Sequence, residues 1–229
     1  MNEYTEIIRS NINEIQSVIN GRAKLLAATK TIPAEVINLT YDMGIRIIGE
    51  NRVQELSEKF PLLDKRFEVH FIGRLQRNKV KYIIDKVSLI HSLDSLPLAE
   101  EIDKRAKSID KVQNCLIEIN LGNEENKGGI PLEEVEVFLE RLKAFDHIRI
   151  CGLMGVTPAE GDIEKNIYFF TKITQKFIDI RSKNVDNSIM GKNAMEILSL
   201  GMTGDYKAAI ECGSNLVRIG EGIFGKRKK

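Results

Sequence analysis

The sequence predicts an α/β fold, a (β/α)8 TIM barrel carrying an extra N-terminal helix and forming a single domain over residues 1–229. Three observations point there. The chain holds eight short apolar runs, amphipathic stretches with helical spacing separate them, and the runs recur about every 27 residues. A chain of 229 residues with 42% hydrophobic content is long enough to bury one such core.

The elements follow in order. Residues 2–20 set Ile7, Ile8, Ile12, Ile15, Val18 and Ile19 on one helical stripe, and Gly21 ends it. The apolar runs lie at 24–28, 45–49, 67–72, 87–91, 115–121, 148–154, 197–200 and 216–219. Helical patterns lie between them at 33–43, 51–60, 76–85, 96–108, 131–144, 162–181 and 204–212. Such alternation builds parallel βαβ units. No repeat, low-complexity linker or shift of composition marks a second domain. Barrel sites form where strands run into the following helices. That rule gathers Lys30, residues 49–51, 70–73, Asn120, Met154, residues 199–203 and residues 218–222 at one mouth.

Composition narrows the function. Lys plus Arg number 34 and Asp plus Glu 33, a net charge of +1, so neither nucleic acid nor an anionic membrane is expected as a partner. Cys115, Cys151 and Cys212 are too sparse for a disulfide framework and read as reduced thiols. The first ten residues are polar and acidic, unlike a secretory signal, and no apolar run approaches the roughly 18 residues of a membrane span. A soluble, cytoplasmic protein is expected. His70, His91 and His147 are scattered without ligand spacing, so no metal is expected. The basic run 74–81 reads as a solvated helix face, and the tail 226–229 as a loose terminus.

Several residues at the strand ends could carry chemistry. Lys30 follows Leu25-Leu26-Ala27-Ala28-Thr29, where a desolvated amine could condense with an aldehyde; a lysine snorkelling from a strand end is the plainer alternative. Arg218 is a charge inside the last strand, either an ion-pair partner or a fixed hydrogen-bond donor. Residues 220–225 match G-x-G-x-x-G, yet the strand and acidic residue of a dinucleotide fold do not follow. Those glycines instead suit backbone N–H groups approaching a phosphate. The exit Ser199-Leu200-Gly201-Met202-Thr203-Gly204-Asp205 could share that anion, with Thr203 as the alternative helix cap. Asn51 with Gln54 also fits a variant capping box.

Taken together, these residues resemble the pyridoxal phosphate homeostasis protein family. The matching stretches are Leu26-Ala27-Ala28-Thr29-Lys30-Thr31, Gly49-Glu50-Asn51-Arg52-Val53-Gln54-Glu55 and His70-Phe71-Ile72-Gly73-Arg74-Leu75-Gln76-Arg77-Asn78-Lys79. They continue through Ile119-Asn120 to Lys127-Gly128-Gly129, Gly152-Leu153-Met154, Leu198-Ser199-Leu200-Gly201-Met202, and Val217-Arg218-Ile219-Gly220 to Ile223-Phe224-Gly225. The resemblance implies a barrel like the N-terminal domain of alanine racemases, monomeric or weakly associating, with pyridoxal 5′-phosphate (PLP) as a Schiff base on Lys30. It places Asn51 near the ring hydroxyl, Arg218 near the pyridine nitrogen, Ser199, Gly220 and Glu221 at the phosphate, and Met202 nearby. Glu221 stands where many relatives have threonine, and Thr203 where serine is common.

The implied role is non-enzymatic: buffering PLP and delivering it to apoenzymes that depend on it. A PLP-dependent amino-acid racemase is the alternative. Racemisation needs acid–base groups on both substrate faces. In alanine racemases a dimer partner supplies the second base, in an assembly with a further β-domain for which this sequence leaves no room. A weaker alternative is a sugar-phosphate enzyme that uses Lys30 on its substrate.

Overall fold

The computed structural model describes residues 3–120, 128–157, 162–183 and 194–226. Leu121, Lys127 and residues 227–229 of the tail, all named in the sequence reading, lie outside these residues.

Eight parallel strands close into a barrel in sequence order, from β1 (Lys24–Ala28) and β2 (Ile47–Glu50) through β3 (Glu68–Phe71) and β4 (Leu89–Leu93). They continue with β5 (Gln113–Asn120), β6 (Ile148–Val156), β7 (Ile197–Ser199) and β8 (Leu216–Ile219), which pairs back on β1 with Leu26 opposite Arg218. Each predicted run overlaps its strand: four contain it whole, and β2, β4, β5 and β6 extend one to two residues beyond theirs. The helices are α1 (Glu3–Ile19), α2 (Ala34–Tyr41), α3 (Val53–Lys59), α4 (Leu96–Lys107), α5 (Val135–Leu142), α6 (Ile163–Lys183), α7 (Tyr206–Glu211) and α8 (Glu221–Phe224). The helix expected at 76–85 is instead a 3-10 turn over Arg77–Tyr82, closed by i→i+3 bonds such as Ile83 N–H to Val80 O.

Alternation along the strands sorts the core into two layers. Leu26, Ile47 and Leu216 fill the barrel interior beside Ala28, Ile72 and Ile197, and Leu89, Leu116, Cys151 and Met154 fill its other side. Ala27, Ile48, Phe71, Ile90 and Ile117 face the helices in the larger core. Burying side chains of this size stabilises by roughly 1.5–3 kcal/mol each.

The N-terminal helix shapes the site from outside. Ile8, Ile12, Ile15 and Ile19 are its buried stripe, and Asn11 Nδ2 donates to Ile223 O of α8 at 3.0 Å. Helix α1 thereby seats α8, the last turn of backbone beside the mouth. No helix among the described residues is long and apolar enough to cross a membrane.

Candidate functional site

The strand ends open into a cavity of about 360 Å3 lined by Ala28, Lys30, Asn51, Ile72, Val156, Met202, Thr203, Gly204, Arg218, Gly220 and Glu221. That size suits a small phosphorylated ligand, since ligand pockets run from roughly 300 Å3 upward. Six of the seven residues singled out from the sequence share this wall. The seventh, Ser199, is fully buried beneath it, where its hydroxyl meets Arg218 and His91.

Lys30 sits on a tight turn just past β1. Thr29 N–H donates to Gly49 O, and Ile32 N–H returns to Thr29 O, so the chain reverses at once. The reversal forces Thr31 to φ 69°, a left-handed conformation costly for a β-branched residue. A buried ionic clamp holds it there. Thr31 N–H donates to Glu55, while Lys59 Nζ donates to Thr29 O at 2.8 Å, Glu50 Oε1 at 2.9 Å and Glu55 Oε1 at 2.6 Å. Thr29 Oγ1 also donates to Glu50 at 2.6 Å. Burial pushes the Glu50 carboxyl above its ordinary range, against the hydrogen bonds from Thr29 and Lys59. The clamp uses the neighbouring cations and leaves Lys30 alone: among the described residues its amine has no hydrogen bond or ion pair.

Asn51 reaches the wall because Gly73 has no side chain. A Cβ there would lie 2.0 Å from Asn51 O, so only glycine lets the β3 exit pass so close. The capping-box alternative does not form: Arg52 is the N-cap of α3, and Gln54 Nε2 donates to Glu58 instead.

Opposite Lys30, the exits of β7 and β8 present backbone. Gly201 adopts φ 90°, packing against Tyr206 and Ala209 where a Cβ would collide. Asp205 fixes the turn by accepting from Met202 N–H at 2.7 Å, and it also accepts from Thr157 and Asn166. Thr203 does not cap α7; its Oγ1 accepts from Gly222 N–H at 3.1 Å and ties the two exits together. Among the described residues, the N–H groups of Thr203, Gly204 and Glu221 have no partner. Three unpaired donors lining one cavity form a cradle for an anion. Glu221 is exposed.

Arg218 rises from β8 at the cavity floor, 5% exposed. Its Nη1 donates to Ser199 O and Oγ at 2.7 Å each, and Nη2 to Gly155 O at 3.0 Å. Burial pulls the guanidinium down to about 10, against the pull of Asp205 and Glu118, so it stays charged at neutral pH. Sequence reasoning missed the clamp, although Glu55 and Lys59 at i,i+4 were a visible signal, and it missed the His70–His91 contact under Ser199.

The comparisons agree with this geometry. The family model described as "Alanine racemase, N-terminal domain" matches residues 5–228. The pyridoxal phosphate homeostasis protein of Aquifex aeolicus is 45% identical over 208 residues, covering 90% of this chain and 88% of that one. The structure of PipY from Synechococcus elongatus with PLP bound superposes with a TM-score of 0.85 at 26% identity, covering 95% of this chain and 100% of PipY. An alanine racemase from Clostridium difficile shares the fold, with a TM-score of 0.75 at 18% identity, and this chain covers 57% of it. A barrel closed in sequence order, matched along nearly its whole length, places the chain in the alanine racemase N-terminal domain family, among the pyridoxal phosphate homeostasis proteins.

Proposed function

We propose that this chain binds PLP through Lys30 and serves to hold and release the cofactor rather than to turn over a substrate. One observation carries the reading: a lysine with an unpartnered amine, three residues with unpartnered backbone N–H groups and a charged arginine line one cavity. An aldehyde that also bears a phosphate and a ring nitrogen fits that donor set. PLP supplies an electrophilic aldehyde carbon and, through its pyridine ring, an electron sink. Lys30 would hold the group through its aldehyde, in a link that forms with loss of water and is reversed by hydrolysis, which suits a reservoir. The N–H groups of Thr203, Gly204 and Glu221 hold the phosphate, and Thr203 keeps their loops together. Asn51 serves the ring hydroxyl, Gly220 and Met202 complete the wall, and Ser199 acts from below by seating Arg218. Arginine keeps its proton, so it donates to the ring nitrogen without protonating it, which weakens the ring as an electron sink.

The racemase alternative needs a second acid–base group across from Lys30. Among the described lining residues only Arg218 and Glu221 are ionisable besides Lys30, and Arg218 is committed to Ser199 and Gly155. That favours the carrier. Mixing the loaded protein with a PLP-dependent apoenzyme tests it: recovery of the apoenzyme's activity is expected, with no enantiomer exchange when L-alanine is supplied. Rapid appearance of D-alanine would make the chain an enzyme.

A further inference from the structure

A line of buried polar groups runs down the barrel interior from Arg218 to the opposite mouth. Ser199 Oγ lies 3.3 Å from His91 Nδ1, His91 Nε2 lies 3.0 Å from His70 Nδ1, and His70 Nε2 lies 2.9 Å from Glu68 Oε1. Ser199 and His91 are fully buried and His70 is 2% exposed, whereas the Glu68 side chain is 51% exposed. None of these groups belongs to the cavity wall.

The sense of the chain follows from its upper end. A guanidinium only donates, so Ser199 Oγ accepts from Arg218 and its single proton turns to His91 Nδ1. That leaves His91 protonated on Nε2, which donates to His70 Nδ1. His70 is then protonated on Nε2, which donates to the Glu68 carboxylate. The reverse order would turn a His91 N–H toward Ser199 and strand the serine proton with no acceptor. Burial, then the charges of His70 and Arg218, hold His91 well below the ordinary histidine range. Ionisable groups around the chain include Lys24 on β1, which with Arg22 and Glu196 lines the lower mouth beside Glu68 and His70, and Asp205 and Glu118 near Arg218; Lys24 acts on Glu68, and Asp205 and then Glu118 act on Arg218.

We propose that His91 and His70 are positioning residues, forming a one-way hydrogen-bond chain that anchors the cofactor-facing Arg218 to the carboxylate of Glu68 at the far mouth. The inference rests on the PLP reading for its purpose but not for its existence. His91 fixes the rotation of the Ser199 hydroxyl, Ser199 fixes Nη1, and the guanidinium plane is set before any ligand arrives. Its distance from the ring nitrogen is then a property of the fold.

Imidazole nitrogen NMR on the cofactor-free protein tests the chain directly. His91 should be neutral at pH 7 with its proton on Nε2 and should stay so as the pH falls through the ordinary histidine range, and His70 should carry a proton on Nε2. A proton on His91 Nδ1, or a charged His91 at pH 7, would overturn the proposal. The second arm uses His91→Leu, with folding checked by thermal melting. PLP should bind on the order of tenfold more weakly, and the pH midpoint of the bound cofactor's absorbance should move as Arg218 loses its fixed place. Unchanged affinity and midpoint would refute the positioning role even with the expected tautomers. Should the wild type retain no PLP at all, the cofactor reading fails, and the NMR arm still decides whether the chain exists.

Discussion

The two mouths of the barrel make a controlled comparison. Each opens on a cavity of nearly the same size, about 360 Å3 at the strand ends and about 370 Å3 at the strand starts, and each has a lysine from the inner face of the β1 segment. Lys24 at the lower mouth stands beside Glu68, whose carboxyl is held low by the hydrogen bond from His70 and more weakly by Lys24. Lys30 at the upper mouth shares its cavity with the Glu221 carboxyl but has no ion pair among the described residues, and the Glu50 and Glu55 carboxylates beside its turn are taken by Lys59. On the lower rim Glu68 pairs with His70 at 2.9 Å, and Arg22 reaches off the rim to pair with Glu211 at 2.6 Å. The upper cavity is rimmed by donors without partners. Volume does not distinguish the mouths; unsatisfied chemistry does.

The comparison can be broken in several ways, beginning with the largest effect. Lys30→Ala should abolish retention of PLP after desalting, whereas Lys24→Ala should retain it, as read by absorbance. Next comes the clamp. Lys59→Met leaves Glu50 buried at 0% exposure beside Glu55 without its cation, a loss of about 3–5 kcal/mol. The melting temperature should fall by roughly 6–20 °C, and loading of Lys30 should fall with it as Thr31 relaxes.

A pH effect follows at the upper mouth. Burial, reinforced by Asp94, pushes the Glu118 carboxyl up to about 7. The folded chain therefore binds this proton more tightly than the unfolded chain does. Stability is greatest below the unfolded value near 4.5 and declines as pH rises to about 7, by at most about 3 kcal/mol. Chemical denaturation across that window should show the decline, and Glu118→Gln should flatten it. A smaller gain is expected from Glu221→Thr, which removes a negative charge and adds a hydroxyl beside the three free N–H groups. Affinity for PLP should rise roughly two- to tenfold by titration. The smallest effect belongs to the lower rim. Arg22→Ala breaks an exposed pair, 48% and 70% exposed, and should change stability by under about 1 kcal/mol.

Much of this architecture was legible in the sequence because it depends on local pattern. Each strand is a short apolar run, and β1, β8 and the N-terminal helix carry signals of composition and spacing that tertiary packing did not override. The gathering of Lys30, Asn51, Met202, Arg218, Gly220 and Glu221 at one mouth followed from strand order alone, since every barrel strand points the same way. What escaped was set by register across strands. His70 and His91 look unrelated 21 residues apart, but His70 pairs with Leu89 in the sheet, which brings His91 to the next inward position beside it. Ser199 read as a phosphate ligand because strand exits favour such a role. The structure puts it one layer deeper, where Arg218 claims its hydroxyl. The stretch 76–85 kept buried Val80 and Ile83 three residues apart, a spacing that a tight 3-10 turn satisfies as well as an α-helix does.

The most direct test of the account is to locate the bond. The protein is loaded with PLP, reduced with borohydride to make the link permanent, digested, and mapped by mass spectrometry. The account predicts a pyridoxyl group on Lys30 in a single peptide, at close to one per chain, with Lys24 unmodified. Modification spread over surface lysines, or concentrated on Lys24, would contradict it and move the site away from the upper mouth.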